Sequence, residues 1–566
     1  MESIYLEKPW ISSYPQGVPS EIEIPVKSVG ETFDEAVDKW SDNTAIIFYG
    51  KKIKYVELKE FVDRFATALS ALGVQKGDRV AVLLLNNPNH IISFYALLKL
   101  GAIITSISPV YVSSEMKHQI IDSGAETIIC QDFLYNIIEE TEIKFKNVIL
   151  AKISDFLPNL KKIVGKSLLK GVYQKLAIPS TTIYKSKGFY HFMDLIKEHP
   201  PNPPQVNIDS MKDIAMLPYT SGTTGKPKGV ILSHFNLISD DLLYHKFYSI
   251  FEDGKETMVA YMPFYHASGQ LFSMLGGIIH GNTLIVITNP DLDVIINSII
   301  RYGVSLFLGA PTMYELLNDY KKTNRVNWKN MKIVESGADA LNEITAKTWK
   351  DKTEVVIHEM YGQTETVCVT HGNPFGKQKL ASIGVPLPNT MAAILDPDKD
   401  DFVPLGETGE LAINGPMVTT MGYWNNQESA KECESIIDGL RWWRTGDLAS
   451  MDEDGYFFIY DRKRDLIKYK GLRVFAREVE EILKMHPKIK EVGVIGVPNI
   501  KVGEDVKAMV VLESDARGTF SEADIVEFCD GKLAHYKIPK IIEFLGEIPK
   551  TDVGKVSRRE LREWEF

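Results

Sequence analysis

Cysteine is scarce in this chain of 566 residues, which contains only four. They stand far apart, at positions 130, 368, 433 and 529, and no two have the spacing of metal ligands. The sequence therefore predicts neither a disulfide framework nor a cysteine-based metal site. Scattered free cysteines are typical of proteins in a reducing compartment such as the cytosol.

Long apolar runs are also missing, although hydrophobic residues make up 44% of the chain. The best candidate, residues 91–107, is broken by Lys99 and by small polar residues. It falls short of the about 18 apolar residues that a membrane-spanning helix needs. Residues 1–8 lack the basic and apolar regions of a signal peptide. We therefore expect a cytoplasmic protein.

The chain has no excess of positive charge. It carries 64 lysines and arginines against 75 aspartates and glutamates, which gives a formal net charge of −11. This balance, without a long basic tail, argues against general nucleic-acid binding, and we predict no nucleic-acid partner. The length exceeds that of one ordinary core, so we expect about two to four domains.

Residues 219–230 are the most informative segment, and they read Tyr-Thr-Ser-Gly-Thr-Thr-Gly-Lys-Pro-Lys-Gly-Val. Glycines let the backbone approach an anion closely, while hydroxyls and lysines supply donors and positive charge for phosphate oxygens. The spacing is not that of a Walker P-loop, because the Gly-Lys-Ser/Thr that should begin at Pro227 is absent. Taken alone, the segment could also be a solvated surface turn.

Six further segments follow in the order of a known family. They are residues 262–266 (Met-Pro-Phe-Tyr-His), 361–365 (Tyr-Gly-Gln-Thr-Glu), 409–413, 444–447 (Arg-Thr-Gly-Asp), 461–465 and 549–555. With the glycine-rich loop, the chain resembles the acyl-adenylate-forming superfamily, which includes acyl-CoA synthetases, firefly luciferase and peptide-synthetase adenylation domains. The matching segments extend over nearly the whole chain.

Short apolar runs alternate with helical stretches such as residues 91–100. The runs read as strands at residues 80–85, 127–130, 148–150, 215–219, 283–286, 306–308 and 332–334. This alternation predicts the α/β class. The resemblance implies a large multi-layered N-terminal domain, residues 1–461, with two α/β subdomains and a distorted β-barrel. A small mobile α+β domain, residues 462–566, should follow and carry the catalytic lysine.

The resemblance implies an AMP-forming ligation of a carboxylic acid to coenzyme A. A carboxylate is a poor electrophile, and its attack on the α-phosphorus of ATP turns it into an acyl-adenylate with AMP as leaving group. This chemistry needs positioning and preorganised positive charge more than a covalent nucleophile. The implied co-substrates are ATP and coenzyme A, with Mg²⁺ as the metal.

The family pattern assigns the nucleotide site residue by residue. Thr364 is expected at the α-phosphate, Asp447 at the ribose hydroxyls, and Tyr361 flat against the adenine. Glu365 is expected to bind Mg²⁺, a hard cation that prefers oxygen ligands. The full implied ATP-binding set is Thr220, Ser221, Gly222, Thr223, Thr224, Gly225, Lys226, Lys228, Gly337, Ala338, Tyr361, Gly362, Thr364, Asp447 and Arg462.

The implied catalytic residues are Lys555, Glu365, His266 and Thr220. Lys555 should contact the carboxylate and the α-phosphate, and should matter for adenylation but little for thioester formation. His266 should orient or shield the acyl carboxylate; a satisfied core histidine is the alternative.

For the second half-reaction the C-terminal domain is expected to rotate and present Lys470 and Gly471 to the site. Gly471 leaves room for the pantetheine of coenzyme A because it has no side chain. Arg464 occupies the hinge position, which must absorb large changes in backbone dihedrals.

The acid is predicted from the implied acyl pocket, which comprises His266, Gly309, Gly337, Gly362 and Val367. Gly362 stands where acetate-specific relatives carry a tryptophan, so we expect an open apolar pocket and a medium- or long-chain fatty acid. Short hydroxy or branched acids and aromatic acids remain alternatives. The exact chain length also stays open, because each methylene contributes only ~1–3 kcal/mol to the discrimination by an apolar pocket.

Other readings of the whole chain are kept open. Transfer to a carrier-protein thiol is one, although no carrier domain is attached. A non-catalytic nucleotide-binding protein is another, but it should have lost Lys555, Asp447 or Glu365, and all three are present. The family includes dimers, so a homodimer is also an open expectation.

Residues 152–187 carry eight lysines against one acid, Asp155. Apolar residues recur among them at three- and four-residue spacing, which is typical of an amphipathic helix with a basic face. The segment reads either as a surface helix packed on the large domain or as a site of peripheral contact with an anionic membrane.

Overall fold

The computed structural model describes residues 3–158, 188–220, 227–470, 472–550 and 556–564. Several predicted site residues lie outside the described residues: Ser221, Gly222, Thr223, Thr224, Gly225, Lys226, Gly471 and Lys555. Most of the predicted amphipathic segment, residues 159–187, also lies outside them.

The largest sheet has nine strands and supports the predicted site. In spatial order they are Val385–Pro386, His371–Gly372, His358–Tyr361, Ile333–Ser336, Leu306–Gly309, Thr257–Ala260, Thr283–Val286, Thr44–Phe48 and Lys51–Lys54. The central pairings are parallel, and the strands at both edges pair antiparallel. Central strands such as Leu306–Gly309 are buried at every position, as expected when both faces are covered.

A second α/β sheet has seven strands. In order they are Leu232–Ser233, Ile214–Met216, Ile103–Ser106, Arg79–Leu83, Thr127–Gln131, Asn147–Ala151 and Phe189–His191. All neighbours pair in parallel except Leu232–Ser233, which runs antiparallel to Ile214–Met216. The short strands Tyr219–Thr220 and Lys228–Gly229 pair with each other beside it.

A third sheet is antiparallel and stands where the resemblance predicts a barrel. Its strands are Met391–Leu395, Gly409–Asn414, Leu440–Met451 and Glu434–Ile437 in order, with Phe457–Arg462 beside Leu440–Met451. Asp447 and Arg462 lie directly opposite each other in this last pairing. The sheet therefore brings two predicted site residues into register.

The helices cover the sheets. The α-helices of the described residues are Val29–Trp40, Tyr55–Ala71, Pro88–Lys99, Ser113–Ser123, Tyr135–Glu139, Phe192–Glu198, His234–Phe247, Gly277–Ile279, Leu292–Tyr302, Pro311–Asp319, Glu343–Thr353, Gln427–Glu432, Ala476–Lys484, Glu522–Cys529 and Arg558–Glu563. Ser28 begins the first with a capping box to Glu31, which satisfies two backbone donors. Ser268–Gly276 has π-helical hydrogen bonding. None of the helices described is long and apolar enough to cross a membrane.

The C-terminal part is α+β and has its own core. Its sheet runs Leu472–Val474, Ile467–Tyr469, Gly503–Leu512 and Ile489–Asn499, with Ile541–Phe544 beside Gly503–Leu512. The first residue of its apolar core cluster is Ile467. The α/β class with a small C-terminal domain is thus confirmed. The boundary at residue 461 stays a prediction, and the strand Phe457–Arg462 runs across it.

The predicted strands are present, with ends that differ by a few residues. Residues 215–219 were predicted as one strand, but the structure divides them into Ile214–Met216 and Tyr219–Thr220. Pro218 lies between the two and has no backbone N–H for a ladder. The start of the segment 152–187 is buried, because Phe156 and Leu157 belong to the large core and Phe156 packs edge-on against Phe61 at 5.4 Å between ring centroids. These two residues are therefore not available to a membrane.

Candidate active site

Four predicted motifs follow four adjacent parallel strands of the nine-stranded sheet. The strands are Thr257–Ala260, Leu306–Gly309, Ile333–Ser336 and His358–Tyr361. Carboxyl ends of parallel strands meet at one edge of a sheet, which is where α/β proteins bind ligands. The edge therefore collects His266, Gly309, Gly337 and the segment 361–365, which are far apart in sequence.

Asp447 is the centre of a hydrogen-bond cluster. The Tyr361 hydroxyl donates to its Oδ2 at 2.6 Å, and Gln363 Nε2 donates to the same oxygen at 2.8 Å. Arg462 Nε lies 3.6 Å from Oδ1. Gln363 also donates to the Thr445 carbonyl at 2.8 Å, which fixes its amide. The structure thus unites the predicted residues Tyr361, Asp447 and Arg462, and adds Gln363, whose role the sequence pattern did not specify.

Glu365 is held by a tyrosine that sequence reasoning missed. Tyr423 donates its hydroxyl to Glu365 Oε1 at 2.8 Å, and the Thr419 N–H donates to the Glu365 carbonyl at 2.8 Å. Burial raises the pKa of the Glu365 carboxyl, while the hydrogen bond from Tyr423 opposes the shift. A cation beside this carboxylate would lower its pKa again.

Lys228 meets the same tyrosine from the other side. It is buried, its Nζ donates to Ser429 Oγ at 2.8 Å, and it lies 5.3 Å from the Tyr423 ring centroid. Lys228 also pairs with Thr220 across the two-stranded ladder. The glycine-rich segment is therefore anchored at its described ends, next to Glu365. No local pattern in the sequence marks Tyr423 or Ser429 as neighbours of these residues.

Two backbone positions at the site are strained. Ala338 has a φ of 71° and Val367 a φ of 65°, which is unusual for alanine and more so for a β-branched residue. Ala338 follows Gly337, and Val367 follows the short helix Thr364–Thr366. Strained residues of this kind cluster at functional sites, where the surrounding structure holds them in place.

Gly362 requires a correction. A Cβ built on this residue would lie 1.8 Å from the carbonyl oxygen of Cys368, so the expected open volume is not next to its Cα. A Cβ on Gly309 would lie 2.9 Å from the Tyr314 ring. Both glycines serve close packing of the backbone, and the prediction that Gly362 opens the acyl pocket finds no free space beside it.

His266 lies just before the π-helical stretch. Its Nδ1 is 3.1 Å from Ser268 Oγ, and its carbonyl accepts the Gln270 N–H at 2.9 Å. A Cβ on Gly269 would come within 2.2 Å of the Pro263 carbonyl oxygen, so only glycine fits there. π-helical turns are frequent at functional sites, and this one sets the direction of the half-buried imidazole.

A narrow cavity with a void of about 30 Å³ lies behind these motifs. It is bounded by the helix His234–Phe247, by the segment after His266, and by Cys368 and Val369. Its lining residues are Asp240, Asp241, Tyr244, His245, Phe251, Glu256, Met258, Leu271, Phe272, Gly276, Gly277, His280, Asn282, Leu306, Cys368 and Val369. None of the five predicted acyl-pocket residues lines it.

The predicted hinge lies beside a buried charge cluster. Arg464 is exposed in the short helix Lys463–Asp465. Arg558 contacts the carboxylates of Glu480 at 2.8 Å and of Asp461 and Asp465 at 3.2 Å each. The Asp461 side chain is only 1% exposed. Arg558 thus links residues on both sides of Arg464, and nothing in its local sequence indicated this.

The two parts of the chain also interact near the site. Burial raises the pKa of Glu315 on the helix Pro311–Asp319, and Lys484 and Lys550 of the C-terminal part oppose the shift. Lys550 pairs with Val556, so the described ends on either side of residues 551–555 are close together. Lys470, with a φ of 49°, is exposed and donates its N–H to the Val502 carbonyl at 2.6 Å.

Comparisons with known proteins cover the chain from end to end. The AMP-binding enzyme pattern matches residues 33–424, and that of the AMP-binding enzyme C-terminal domain matches residues 478–555. A long-chain-fatty-acid–CoA ligase of Bacillus subtilis is 36% identical, over 99% of this chain and 98% of the relative. One from Yersinia pestis is 34% identical over the same shares. Solved structures include ATP-bound MatB from Rhodopseudomonas palustris, with a TM-score of 0.82, 27% identity, and coverage of 95% of this chain and 99% of that one.

Proposed function

The chain belongs to the AMP-binding enzyme family, and we propose that it is an acid–thiol ligase that joins a long-chain fatty acid to coenzyme A. The reaction uses ATP, releases AMP and passes through an acyl-adenylate. The observation that carries the proposal is the meeting of Tyr361, Asp447 and Glu365 at the carboxyl edge of the sheet. The relatives that match over the full length carry the name of the same reaction.

Asp447 and its partners hold the nucleoside. The carboxylate already accepts two hydrogen bonds on Oδ2, so it is fixed in place and Oδ1 faces Arg462. An acceptor-only group of this kind suits the two hydroxyls of a ribose. Arg462 then steadies the carboxylate and adds positive charge near the nucleotide, and Tyr361 presents its ring to the adenine.

The triphosphate is held at the glycine-rich segment, with Thr220 and Lys228 at its described ends. The Glu365 carboxylate supplies the oxygen ligand that a hard cation such as Mg²⁺ prefers. When bound, Mg²⁺ would neutralise charge that develops on the leaving pyrophosphate. Tyr423 keeps the Glu365 carboxylate oriented toward that task through its hydrogen bond.

The narrow cavity behind the motifs is the place that we propose for the acyl chain. It is lined by Cys368 and Val369, three and four residues after Glu365, by the helix His234–Phe247 and by the segment that follows His266. Its void is only about 30 Å³, below the about 300–1,000 Å³ of ligand pockets, so the lining side chains have to move apart to admit an acyl chain. The apolar side chains of Leu271, Phe272 and Met258 in its lining suit an alkyl chain.

Lys555 brings the two reactants together in the first half-reaction, and the C-terminal domain then rotates about Arg464. The rotation presents Lys470 and Gly471 to the adenylate so that the thiol of coenzyme A can attack. Support comes from the position of Lys550, whose charge acts on Glu315 near the nucleotide edge. Lys550 and Val556, the described residues on either side of the segment with Lys555, pair with each other.

We also propose peripheral membrane contact and a homodimer, and these two proposals are independent of the ligase activity. The basic segment 152–187, apart from its buried residues Phe156 and Leu157, would dock on anionic lipid, where long-chain acids partition. Co-sedimentation with vesicles that contain anionic lipid at low salt tests this, and a protein that stays in the supernatant would contradict it. Light scattering of the purified protein would show whether it forms a homodimer.

The activity is tested by AMP release from ATP and Mg²⁺ with acids from C2 to C18, each with and without coenzyme A. The proposal predicts AMP that depends on both coenzyme A and a long-chain acid. A maximum with short or hydroxy acids would keep the reaction and change the substrate. AMP without any dependence on coenzyme A would favour a carrier-protein thiol, and no AMP with any acid would favour a non-catalytic nucleotide-binding protein.

A further inference from the structure

Two hydrogen-bonded contacts join the parts of the described chain that precede and follow the predicted hinge, Arg464. In the first, Arg558 donates from its Nη1 to Asp461 Oδ1 at 3.2 Å. In the second, the Arg477 N–H donates to Asp461 Oδ2 at 3.0 Å. Both contacts therefore end on one carboxylate, and the first is the one ion pair between described residues that crosses position 464.

Asp461 belongs to the antiparallel sheet of the large domain. It lies in the strand Phe457–Arg462, opposite Leu448 in the neighbouring strand. Its side chain is 1% exposed, and burial raises the pKa of its carboxyl while the charge of Arg558 opposes the shift. The carboxylate is thus fixed by the sheet on one side and depends on a cation of the C-terminal part on the other.

Arg558 has two further carboxylate partners in the described chain, and both lie after Arg464. Its Nη1 contacts Asp465 Oδ2 at 3.2 Å, and its Nη2 contacts Glu480 Oε2 at 2.8 Å. A rotation about Arg464 would carry these two partners with Arg558 and leave their contacts intact. The same rotation would separate Arg558 from Asp461, because Asp461 stays with the sheet of the large domain.

The orientation of the C-terminal part fits the first half-reaction. Lys470, which is expected at the site in the second half-reaction, is exposed. The charges of Lys484 and Lys550 instead act on Glu315, in the helix that follows the strand Leu306–Gly309 of the site. The contacts on Asp461 are therefore those of the orientation that precedes the rotation.

We propose that Asp461 is a positioning residue whose carboxylate latches the C-terminal domain in the orientation for adenylate formation, and that release of Arg558 and Arg477 from it permits the rotation. The proposal rests on the proposed function, which includes the two orientations. After release Arg558 keeps Asp465 and Glu480, so the cation is not left buried without a partner. Asp461 alone loses its cation, so the rotated orientation needs a further source of stability, such as tighter binding of coenzyme A.

Asp461→Asn tests the latch, because the amide has nearly the same shape but carries no charge for Arg558. If each half-reaction proceeds only in its own orientation, the ratio of thioester formation to adenylate formation follows the populations of the two orientations. A hydrogen bond to a charged group changes such an equilibrium by about 10- to 150-fold, so the ratio should rise by about that factor. Adenylate formation is measured as pyrophosphate release without coenzyme A, and thioester formation with supplied acyl-adenylate.

Asp465→Asn is the matched control. Asp465 contacts the same nitrogen of Arg558 at the same distance of 3.2 Å, but it lies after Arg464 and moves with Arg558. Its substitution should leave the ratio unchanged, even where a lower stability reduces both rates. A rise of the ratio in Asp465→Asn equal to that in Asp461→Asn would overturn the proposal, as would an unchanged ratio in Asp461→Asn.

Arg558→Lys is a second variant, which changes the other partner of the latch. A compact ammonium can stay with Glu480 but cannot span three carboxylates as the planar guanidinium does. The ratio should rise in the same direction as in Asp461→Asn. The double variant should not exceed the larger single effect, because both changes remove the same contact. Fully additive effects would mean that the two residues act separately, which would contradict the latch.

Failure of the latch and failure of the ligase give different results. If the unsubstituted protein forms adenylate and thioester but the variants of Asp461 and Arg558 leave their ratio unchanged, the ligase stands and the latch is wrong. If the unsubstituted protein performs neither half-reaction with any acid, the proposed function fails and the latch fails with it.

Discussion

Single side chains decide most of the proposed chemistry, and Asp447 is the clearest case. Its carboxylate is nearly buried, bonded to Tyr361 and Gln363, and opposite Arg462 in the sheet. This arrangement positions a charged acceptor with very little freedom to move. A ribose that reached it would find its acceptor already oriented, which reduces the entropic cost of binding.

Asp447→Asn is expected to weaken ATP use without unfolding the site. The remaining amide oxygen can still accept from Tyr361 and Gln363, but the charge is lost. Hydrogen bonds to charged groups contribute about 1.5–3 kcal/mol, so kcat/KM for ATP should fall by about 10- to 150-fold. Initial rates of AMP release at varied ATP measure this. The exposed Asp401→Asn is the control, and equal loss in both would remove Asp447 from the nucleotide site.

Glu335 gives a pH dependence at the residue scale. It is fully buried in the strand Ile333–Ser336, where burial raises its pKa to about 8, against the hydrogen bond from Tyr244 at 2.6 Å. The native state therefore keeps the Glu335 carboxyl protonated from the pKa of the unfolded chain up to a pH of about 8. The contribution of Glu335 to the free energy of unfolding is complete at the low-pH end of this window. It falls as pH rises, by at most about 1.4 kcal/mol per pH unit.

Glu335→Gln should remove this dependence, since the amide is neutral at every pH and can still bond to Tyr244. Chemical unfolding at pH 5, 6.5 and 8 measures the free energy of unfolding for both proteins. The difference between them should change steadily with pH in favour of the variant. A constant difference would mean that Glu335 is ionised in the native state throughout.

At the scale of elements, the positions of the strands were predictable from the sequence, but the elements that pack against them were not. Runs such as residues 283–286 and 306–308 are apolar because both faces of their sheet are covered, and that requirement is visible locally. The helix His234–Phe247, by contrast, is buried on nearly all sides, even at Asp240 and Asp241. It shows no amphipathic period, so the sequence did not indicate that it would line the cavity.

Contacts between distant elements explain the other site residues that the sequence analysis missed or misinterpreted. Tyr423 reaches Glu365 and Lys228 from a loop that has no pattern of its own. Gly362 was interpreted through the side chain that relatives carry, whereas the Cys368 carbonyl occupies its Cβ position. In each case the partner lies on another element, and only the packing of the sheets decides which groups meet.

The last helix, Arg558–Glu563, depends on its first residue. Arg558 pairs with the buried carboxylates of Asp461, Asp465 and Glu480. Removal of one partner leaves buried charges uncompensated, which costs about 3–5 kcal/mol. Arg558→Met should therefore lower the free energy of unfolding of the C-terminal domain by about this amount, as measured by chemical denaturation. Arg559→Met is the control, because Arg559 is 53% exposed and should cost less than about 0.5 kcal/mol.

At the scale of the whole molecule, the account requires two positions of the C-terminal domain. Arg464 is exposed in a short helix between the antiparallel sheet and the C-terminal core, as a residue that changes its dihedrals would be. Arg558 forms ion pairs with Asp461 and Asp465, which lie on either side of Arg464 in the sequence. These ion pairs therefore also affect the position of the C-terminal domain relative to the large domain.

Arg464→Pro should separate the half-reactions, because proline fixes φ and restricts the residue before it. Adenylate formation is measured by the release of pyrophosphate. Thioester formation is measured separately, with supplied acyl-adenylate as the substrate. One should be nearly retained and the other strongly reduced. Lys463→Ala, at the neighbouring position, should affect both only slightly. Equal loss of the two half-reactions in Arg464→Pro would argue against the hinge.

The acyl-adenylate itself is tested most directly with a fatty acid labelled with ¹⁸O in both carboxyl oxygens. Attack of the carboxylate on the α-phosphorus places one of its oxygens between carbon and phosphorus, and the thiol then releases that oxygen with AMP. Mass spectrometry of the products should find one ¹⁸O in AMP and one in the acyl-CoA. Unlabelled AMP beside doubly labelled acid, or label in phosphate, would contradict the proposed reaction.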